Sequence, residues 1–384
     1  MTFYSKLPHI GTTIFTIMSQ LASEEGALNL SQGFPGFGAD PVLLELVGKY
    51  AREGYNQYAP MSGIPELRQA LAEKTRLTQG YLPDLADEVT IVSGATEAIF
   101  SAVSAVVRQG DEVIVLEPAY DSYEPAITLN GGVPIYLPLN SIDFSVDWER
   151  VQAAITSKTR AIMVNSPHNP SGFVWKESDL EALANLIRDR EIYVISDEVY
   201  EHITFDGEKH FSLGAHLELR AKTFVCGSFG KTFHVTGWKI GYCIAPKNLT
   251  DEFRKIHQYV TFSTVTPIQF ALADYLQVPD RYLSISAFYQ RKRDLFARGL
   301  AETGLNIIPS QGSFFQMASY SHLSQISDQE LAKEMTKKLK VACIPISVFY
   351  SDKKDDKIIR FCFAKEDQVL LEALERLKNL SLVL

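Results

Sequence analysis

No uncharged apolar run in this 384-residue sequence approaches the ~20 residues that cross a bilayer, which argues against a helical membrane protein. The segment Met1–Gly26 also lacks the continuous apolar core of a signal peptide, being interrupted at Pro8 and Gly11. Cysteine is scarce: Cys226, Cys243, Cys343 and Cys362 are widely spaced and form no C-x-x-C pair. A disulfide framework or a thiolate metal site is thereby excluded, and buried thiols in a reducing, cytoplasmic setting are expected. Positive charge is not in excess: 37 Lys and Arg stand against 46 Asp and Glu, a net charge of -9. Such a field repels phosphate backbones and anionic lipid surfaces, so neither nucleic acid nor membrane is an expected partner. Repeats, low-complexity tracts and a clear linker are missing too.

What is present reads as an α/β protein. From about Asp87, short β-branched runs alternate with helical patterns. Strands are expected at Val89–Val92, Glu112–Leu116, Val133–Leu137, Ala161–Val164, Tyr193–Ser196, Lys222–Cys226 and Lys239–Ile244. Helices fit Glu97–Val107 and Glu177–Arg188. This alternation predicts a mostly parallel, seven-stranded sheet between helices, with ligands beyond the carboxyl ends of its strands. The last hundred residues change character. Helix patterns at Arg281–Thr303, Asp328–Leu339 and Gln368–Asn379 surround short strands near Gly312–Met317 and Lys357–Phe363, as in a smaller α+β domain. The expected division is 41–280 for the large domain, with 1–40 and 281–384 forming the small one.

Several polar residues follow those strand ends. Lys231, in Ser228-Phe-Gly-Lys231, is delivered by an apolar strand; desolvation near other cations would make it a usable nucleophile and base. Ser228 and Lys239 stand close enough in sequence to meet one anion. Asp197, in Ser196-Asp-Glu-Val-Tyr200, closes a buried strand, where a carboxylate is costly without a cation. Ser93-Gly94-Ala95-Thr96 opens a helix whose free N–H groups and dipole suit a phosphate. Tyr120 could stack on a flat ring, and Asn165 and Asn169 frame a turn rich in Pro and Gly. Arg360 lies in an apolar run and needs an anion, as bidentate capture of a carboxylate would supply. Each has a plain alternative: a turn lysine, an N-cap aspartate, a packed tyrosine, a structural ion pair. Ser-x-x-Lys lacks the companion Lys-Thr-Gly and Ser-Asp-Asn of penicillin-binding enzymes, and Gly227–Lys231 lacks Walker A spacing.

In order and spacing, these elements resemble fold-type I pyridoxal 5′-phosphate (PLP) enzymes of the class I/II aminotransferase family, along almost the whole chain. The carriers are Tyr55-Asn-Gln-Tyr58, Gly94-Ala-Thr96, Asn165 with Asn169-Pro-x-Gly172, Ser196–Tyr200, Ser228–Lys231 with Gly237-Trp-Lys-x-Gly241, and Arg360. The resemblance implies that Lys231 carries the cofactor through a Schiff base and shuttles a proton. It implies that Asp197 pairs the pyridine nitrogen, that Tyr200 and Asn169 meet the ring oxygen, and that Tyr120 stacks on the ring; Asn165 joins the cofactor set. Gly94, Ala95, Thr96, Ser228 and Lys239 would hold the phosphate, and Tyr58 would reach that of the other subunit in a homodimer with shared active sites. Arg360, Asn169, the backbone at Gly33 and the Phe15 side chain would bind the substrate.

Within the family, Gly11–Phe15, Leu30–Pro35, Tyr58–Gly63, Tyr120–Tyr123 and Lys231–Trp238 are most similar to the bacterial methionine aminotransferase and kynurenine/glutamine transaminase group. Phe15 stands where kynurenine-type enzymes usually have tryptophan, and Lys239 where many relatives have arginine. A pocket of Ile14, Phe15, Phe34, Tyr58, Tyr120, Phe262 and Phe314 would suit methionine and other hydrophobic or aromatic amino acids in ping-pong transamination. The alternatives are a kynurenine/glutamine transaminase with cysteine-S-conjugate β-lyase activity on the same scaffold, and a non-catalytic regulator of the kind that fuses this fold to a DNA-binding helix-turn-helix.

Overall fold

A computed structural model describes residues 4–384. Its centre is a seven-stranded sheet with spatial order Val89–Val92, Gly241–Ile244, Thr223–Ser228, Tyr193–Asp197, Thr159–Asn165, Glu112–Glu117 and Val133–Pro138. The five strands from Thr223–Ser228 outward run parallel. Gly241–Ile244 runs antiparallel to both its neighbours. Helices cover both faces, which is why strands such as Val89–Val92 are apolar and buried at every position rather than at alternate ones.

The expected strand Lys239–Ile244 begins two residues late. Lys239 takes a left-handed conformation, φ +51°, after the short helical turn Thr236–Trp238, and so cannot join the ladder. Gly241 then lies where an added Cβ would stand 2.5 Å from Gly227 O and 3.0 Å from the Gly94 backbone. Three chain segments therefore close up at one end of the sheet because no side chain separates them.

The C-terminal region has its own antiparallel sheet, ordered Ile344–Pro345, Ile358–Cys362, Phe315–Ser319 and Asn306–Ile308. Helices Ile285–Ala301 and Asp367–Leu377 pack together beside it. The expected helix Arg281–Thr303 is divided into Asp280–Leu283 and Ile285–Ala301, and Asp328–Leu339 passes from α to π geometry at Met335. The chain start is tied to this region, for Leu28–Asn29 pairs in parallel with Val341–Ala342. Helix Ile14–Glu24, capped by the Thr13 side chain, packs Met18 and Ala22 inward. Its first turn brings the Phe15 ring to 6.4 Å from that of Tyr120, just past the strand Glu112–Glu117.

All four cysteines are free and buried. Among the described residues no helix is long and apolar enough to cross a membrane, and no cluster of His, Cys, Asp or Glu could hold a metal ion.

Candidate active site

A cavity of about 470 Å³ opens beyond the carboxyl ends of the large sheet, where the N-terminal segment and the C-terminal sheet meet it. Its wall carries Phe15, Gly33, Gly94, Ala95, Thr96, Tyr120, Asn169, Asp197, Tyr200, Ser228, Lys231, Lys239 and Arg360. Thirteen of the fifteen residues singled out from sequence thus converge on one space; Asn165 and Tyr58 do not.

Lys231 is delivered by the strand Thr223–Ser228 and the single turn Phe229–Thr232, whose start is fixed by Ser228 Oγ accepting from Gly230 N–H at 3.1 Å. The Lys231 amine donates to Gly33 O at 2.9 Å and faces the rings of Phe314 and Tyr200. Burial pulls its pKa down to about 8, opposed by Cys362 and Asp197 and assisted by Arg360 and Lys239. An amine lowered this far keeps a larger free-base, nucleophilic fraction near neutral pH than an ordinary lysine does.

Asp197 ends the neighbouring strand. Burial pushes its carboxyl up to about 6, against the hydrogen bonds from Tyr123 O–H (2.7 Å) and Val199 N–H (3.3 Å) and the charge of Lys231. No cation lies within ion-pair distance of it among the described residues. Tyr200 is 2 % exposed, yet its hydroxyl makes no hydrogen bond with a described residue. The Tyr120 hydroxyl and the Lys239 amine are likewise unbonded, and Gly94 sits 3.5 Å, measured from an added Cβ, from Lys239 Nζ. Gly94 has φ +77°, a conformation that glycine adopts freely, and it opens the 13-residue helix Gly94–Val106 with no side-chain cap. Its first-turn N–H groups and positive dipole end therefore point at the cavity beside a lysine.

Arg360 is fully buried on the strand Ile358–Cys362. Nη1 donates to Asn169 Oδ1 at 2.7 Å and Nη2 to Ser31 O at 3.1 Å, while Nε has no partner. Its guanidinium lies 3.8 Å from the Phe315 ring centre, and Phe15 and Phe349 flank it. Burial lowers its pKa to about 10, and Tyr200, Cys362, Tyr120 and Asp121 partly offset this. No carboxylate is within 4 Å of it among the described residues, so the structural ion pair is not formed. A buried arginine bonded only to neutral oxygens is costly until an anion arrives.

Two sequence expectations are corrected. Asn165 does not reach the cavity, because its amide is used by the backbone: Nδ2 donates to Asp197 O at 2.8 Å and Oδ1 accepts from Asn169 N–H at 2.7 Å. It holds the Asn169 loop against the Asp197 strand. Ile14, Phe262 and Phe314 are also off this wall; Phe315, one residue on, faces it, while Phe314 packs behind against Tyr200 and Tyr289. Tyr58 stands 84 % exposed, edge-on to Phe262 at 5.3 Å. Sequence reasoning missed Thr13, Thr16, Gln32, Ile99, Asp121, Val199 and Thr236 on the wall. It also missed the hydroxyl of Tyr123 on Asp197, although Tyr123 follows Tyr120 in a conspicuous Tyr-x-x-Tyr spacing.

Comparison with known proteins sets this geometry in context. The sequence profile described as aminotransferase class I and II matches residues 25–377. Methionine aminotransferase of Escherichia coli (strain K12) is 48% identical over 377 residues, 98% of this chain and 98% of that protein. An E. coli crystal structure described as having a methionine aminotransferase function superposes with a TM-score of 0.96, covering 99% of this chain and 100% of that one, at 48% identity. Kynurenine–oxoglutarate transaminase 3 of Homo sapiens is 32% identical, over 97% of this chain and 89% of that protein.

Proposed function

This chain belongs to the aminotransferase class I and II family and is an aminotransferase, and on that premise we propose that it uses PLP to move the α-amino group of methionine and other hydrophobic or aromatic amino acids to a 2-oxo acid. The observation that carries this reading is the set of unmatched polar groups around one cavity: a low-pKa amine, a buried carboxylate without a cation and a buried guanidinium without an anion. The residues present fit the cofactor. Gly94, Ala95, Thr96, Ser228 and Lys239 offer N–H, O–H and ammonium donors for its phosphate. Asp197 offers an anion for the ring nitrogen, Tyr200 and Asn169 donors for the ring oxygen, and Tyr120 a flat face.

When bound, the cofactor's protonated pyridine ring serves as an electron sink for the substrate α-carbon. Asp197 keeps the proton on that ring nitrogen, and Tyr123 and Val199 N–H fix the carboxylate. Lys231 would hold the cofactor at its aldehyde carbon and, once the incoming amino group has displaced its amine from that carbon, would be the base of suitable pKa for the proton on the substrate α-carbon. Arg360, braced by Asn169 and Ser31 O, takes the substrate α-carboxylate bidentately, directing the α-hydrogen toward Lys231. Phe15, Phe34 and Phe315 line the side-chain space, which supports apolar donors. The 48% identity to the E. coli methionine enzyme supports methionine among them.

On this reading residues 41–280 form the cofactor-binding domain, and 1–40 with 281–384 form the domain that contributes Arg360. The working form is a homodimer: Tyr58, Tyr259 and Val265, all strongly exposed, support a face between copies across which Tyr58 reaches the neighbouring phosphate site. The four unpaired thiols support a reducing, cytoplasmic setting.

The test is the absorption spectrum of the purified protein on adding methionine without an acceptor acid. Loss of the yellow band, with gain of the pyridoxamine form, is the expected half-reaction. A band unmoved by methionine but bleached by another apolar amino acid would shift the donor. Release of pyruvate and ammonia from a β-substituted substrate would instead indicate the β-lyase.

A further inference from the structure

Glu97 is buried in the first turn of the helix Gly94–Val106, one residue beyond the proposed phosphate donors Gly94, Ala95 and Thr96. An acid there competes with an incoming phosphate for the positive end of the helix, so its place needs a reason. Its Oε2 accepts from Ser93 N–H at 2.6 Å, curling back over the start of a helix that has no side-chain N-cap. Its Oε1 meets His257 Nδ1 at 2.6 Å. His257 is fully buried in the last turn of the helix Lys247–Val260. Met61 O can only accept, so its contact with His257 Nε2 at 2.9 Å puts a hydrogen on that nitrogen.

Met61 lies in the loop Tyr58–Gly63, whose Ser62 O accepts from Ile91 N–H at 3.1 Å, two residues before Ser93. His257 O in turn accepts from Phe262 N–H at 2.9 Å, and the Phe262 ring packs edge-on against Tyr58. One buried imidazole thus joins the turn that offers N–H groups to a phosphate and the loop that carries Tyr58. Glu97 and His257 stay off the cavity wall, and the chemistry described above uses neither. Resting on the proposed function, we propose that Glu97 and His257 are positioning residues of the phosphate site, fixing the Gly94 turn against the Tyr58 loop. The pair then sets both phosphate contacts of a chain, its own through Gly94–Thr96 and its neighbour's through Tyr58. An anion gains most from donors already in place, and hydrogen bonds crossing between chain segments keep them there.

The experiment loads the purified protein with pyridoxamine 5′-phosphate and follows its release into cofactor-free buffer by fluorescence. Glu97→Leu and His257→Leu each remove the bridge and speed release by roughly tenfold, the size of about one hydrogen bond. The double variant is no faster than either, because the two side chains act as one unit. Glu97→Gln keeps an amide oxygen for Ser93 N–H and an NH2 for Nδ1 of a neutral ring, and it releases the cofactor at the wild-type rate. With cofactor in excess, the KM for methionine stays within about twofold of wild type in every variant, since Arg360 belongs to the other sheet. Wild-type release from both leucine variants, additive effects in the double variant, or Glu97→Gln behaving as Glu97→Leu overturns the assignment and leaves the transaminase reading intact. So does a KM that rises with the release rate. If His257→Leu does not fold, Glu97→Leu against Glu97→Gln decides alone. A wild-type protein that takes up no pyridoxamine 5′-phosphate overturns both.

Discussion

Two buried charge clusters sit on opposite sides of the turn Asp197–Glu201. On the side away from the cavity, Glu198 accepts from His210 Nε2 at 2.8 Å, Ser196 Oγ at 2.8 Å and Leu213 N–H at 3.1 Å. Glu201 accepts from Lys74 and from the Tyr242 hydroxyl, and Lys74 also donates to Tyr242 at 3.1 Å. On the cavity side, Asp197 has no cation, Arg360 no anion and Tyr200 no hydrogen bond. Both sets are buried, so burial does not separate them. His210 Nδ1 is left without a partner in the first set, but both of its carboxylates have donors from the chain, whereas the charges of the second set are left for something else to complete. A buried charge marks function when its partner is missing from the polypeptide.

The sharpest break in this comparison is in turnover. Lys231→Ala should lower the transamination rate by at least ~10³-fold, since it removes the base, while circular dichroism and thermal unfolding stay close to wild type. Transamination near the wild-type rate would remove Lys231 from its role. The converse substitution, Lys74→Met, strands the buried Glu201 and should cost about 3–5 kcal/mol in urea unfolding. A stability loss from Lys231→Ala as large as from Lys74→Met would erase the distinction between the clusters. Next in size, Arg360→Ala should raise the KM for methionine by about 10²-fold, from a lost charge-assisted pair, and should not destabilise the cofactor-free protein. An unchanged KM would take Arg360 out of the substrate site.

The smallest effects lie in the pH dependence of stability without cofactor, where the two clusters have opposite signs. Burial pushes Asp197 up from 3.8 to about 6, so between those values the native state holds more protons than the unfolded chain. Stability then falls as pH rises from about 4 to 6, and the penalty is complete above that. For Lys231, lowered by burial from 10.5 to about 8, the unfolded chain holds more protons in between, so stability rises from pH 8 to 10.5. Burial alone would raise Glu201, but Lys74, His202 and Tyr242 override it and hold it at about 2. Its contribution is present above pH 4.5 and lost as pH falls from there toward 2. Urea unfolding across pH should show Asp197→Asn flattening the pH 4–6 decline and leaving the acid limb unchanged. Loss of the acid limb in that variant would mean the clusters titrate as one.

Much of this site was legible in the sequence because its residues follow strand ends, where a parallel sheet must gather them. Lys231, Asp197, Asn169 and the Gly94 turn come together for that reason. Less legible were residues placed by long-range approach. Thr13, Thr16 and Gln32 join the wall only because Leu28–Asn29 pairs with Val341–Ala342, a contact no local pattern announces. Phe314 and Phe315 show a second limit. The isolated bridge Thr204↔Gly312 and the left-handed Ser313 set which of the two faces the cavity, and a one-residue step exchanges the faces. Asn165 shows a third: its amide was available in principle to a ligand, but the neighbouring backbone uses both ends of it.

The central claim is that the incomplete cluster awaits a cofactor held at Lys231. Reducing the purified protein with borohydride and mapping its peptides by mass spectrometry tests this most directly. The account predicts one pyridoxyl phosphate addition per chain, on Lys231, absent from Lys231→Ala. Addition at another lysine, or none after PLP has been supplied, would contradict it.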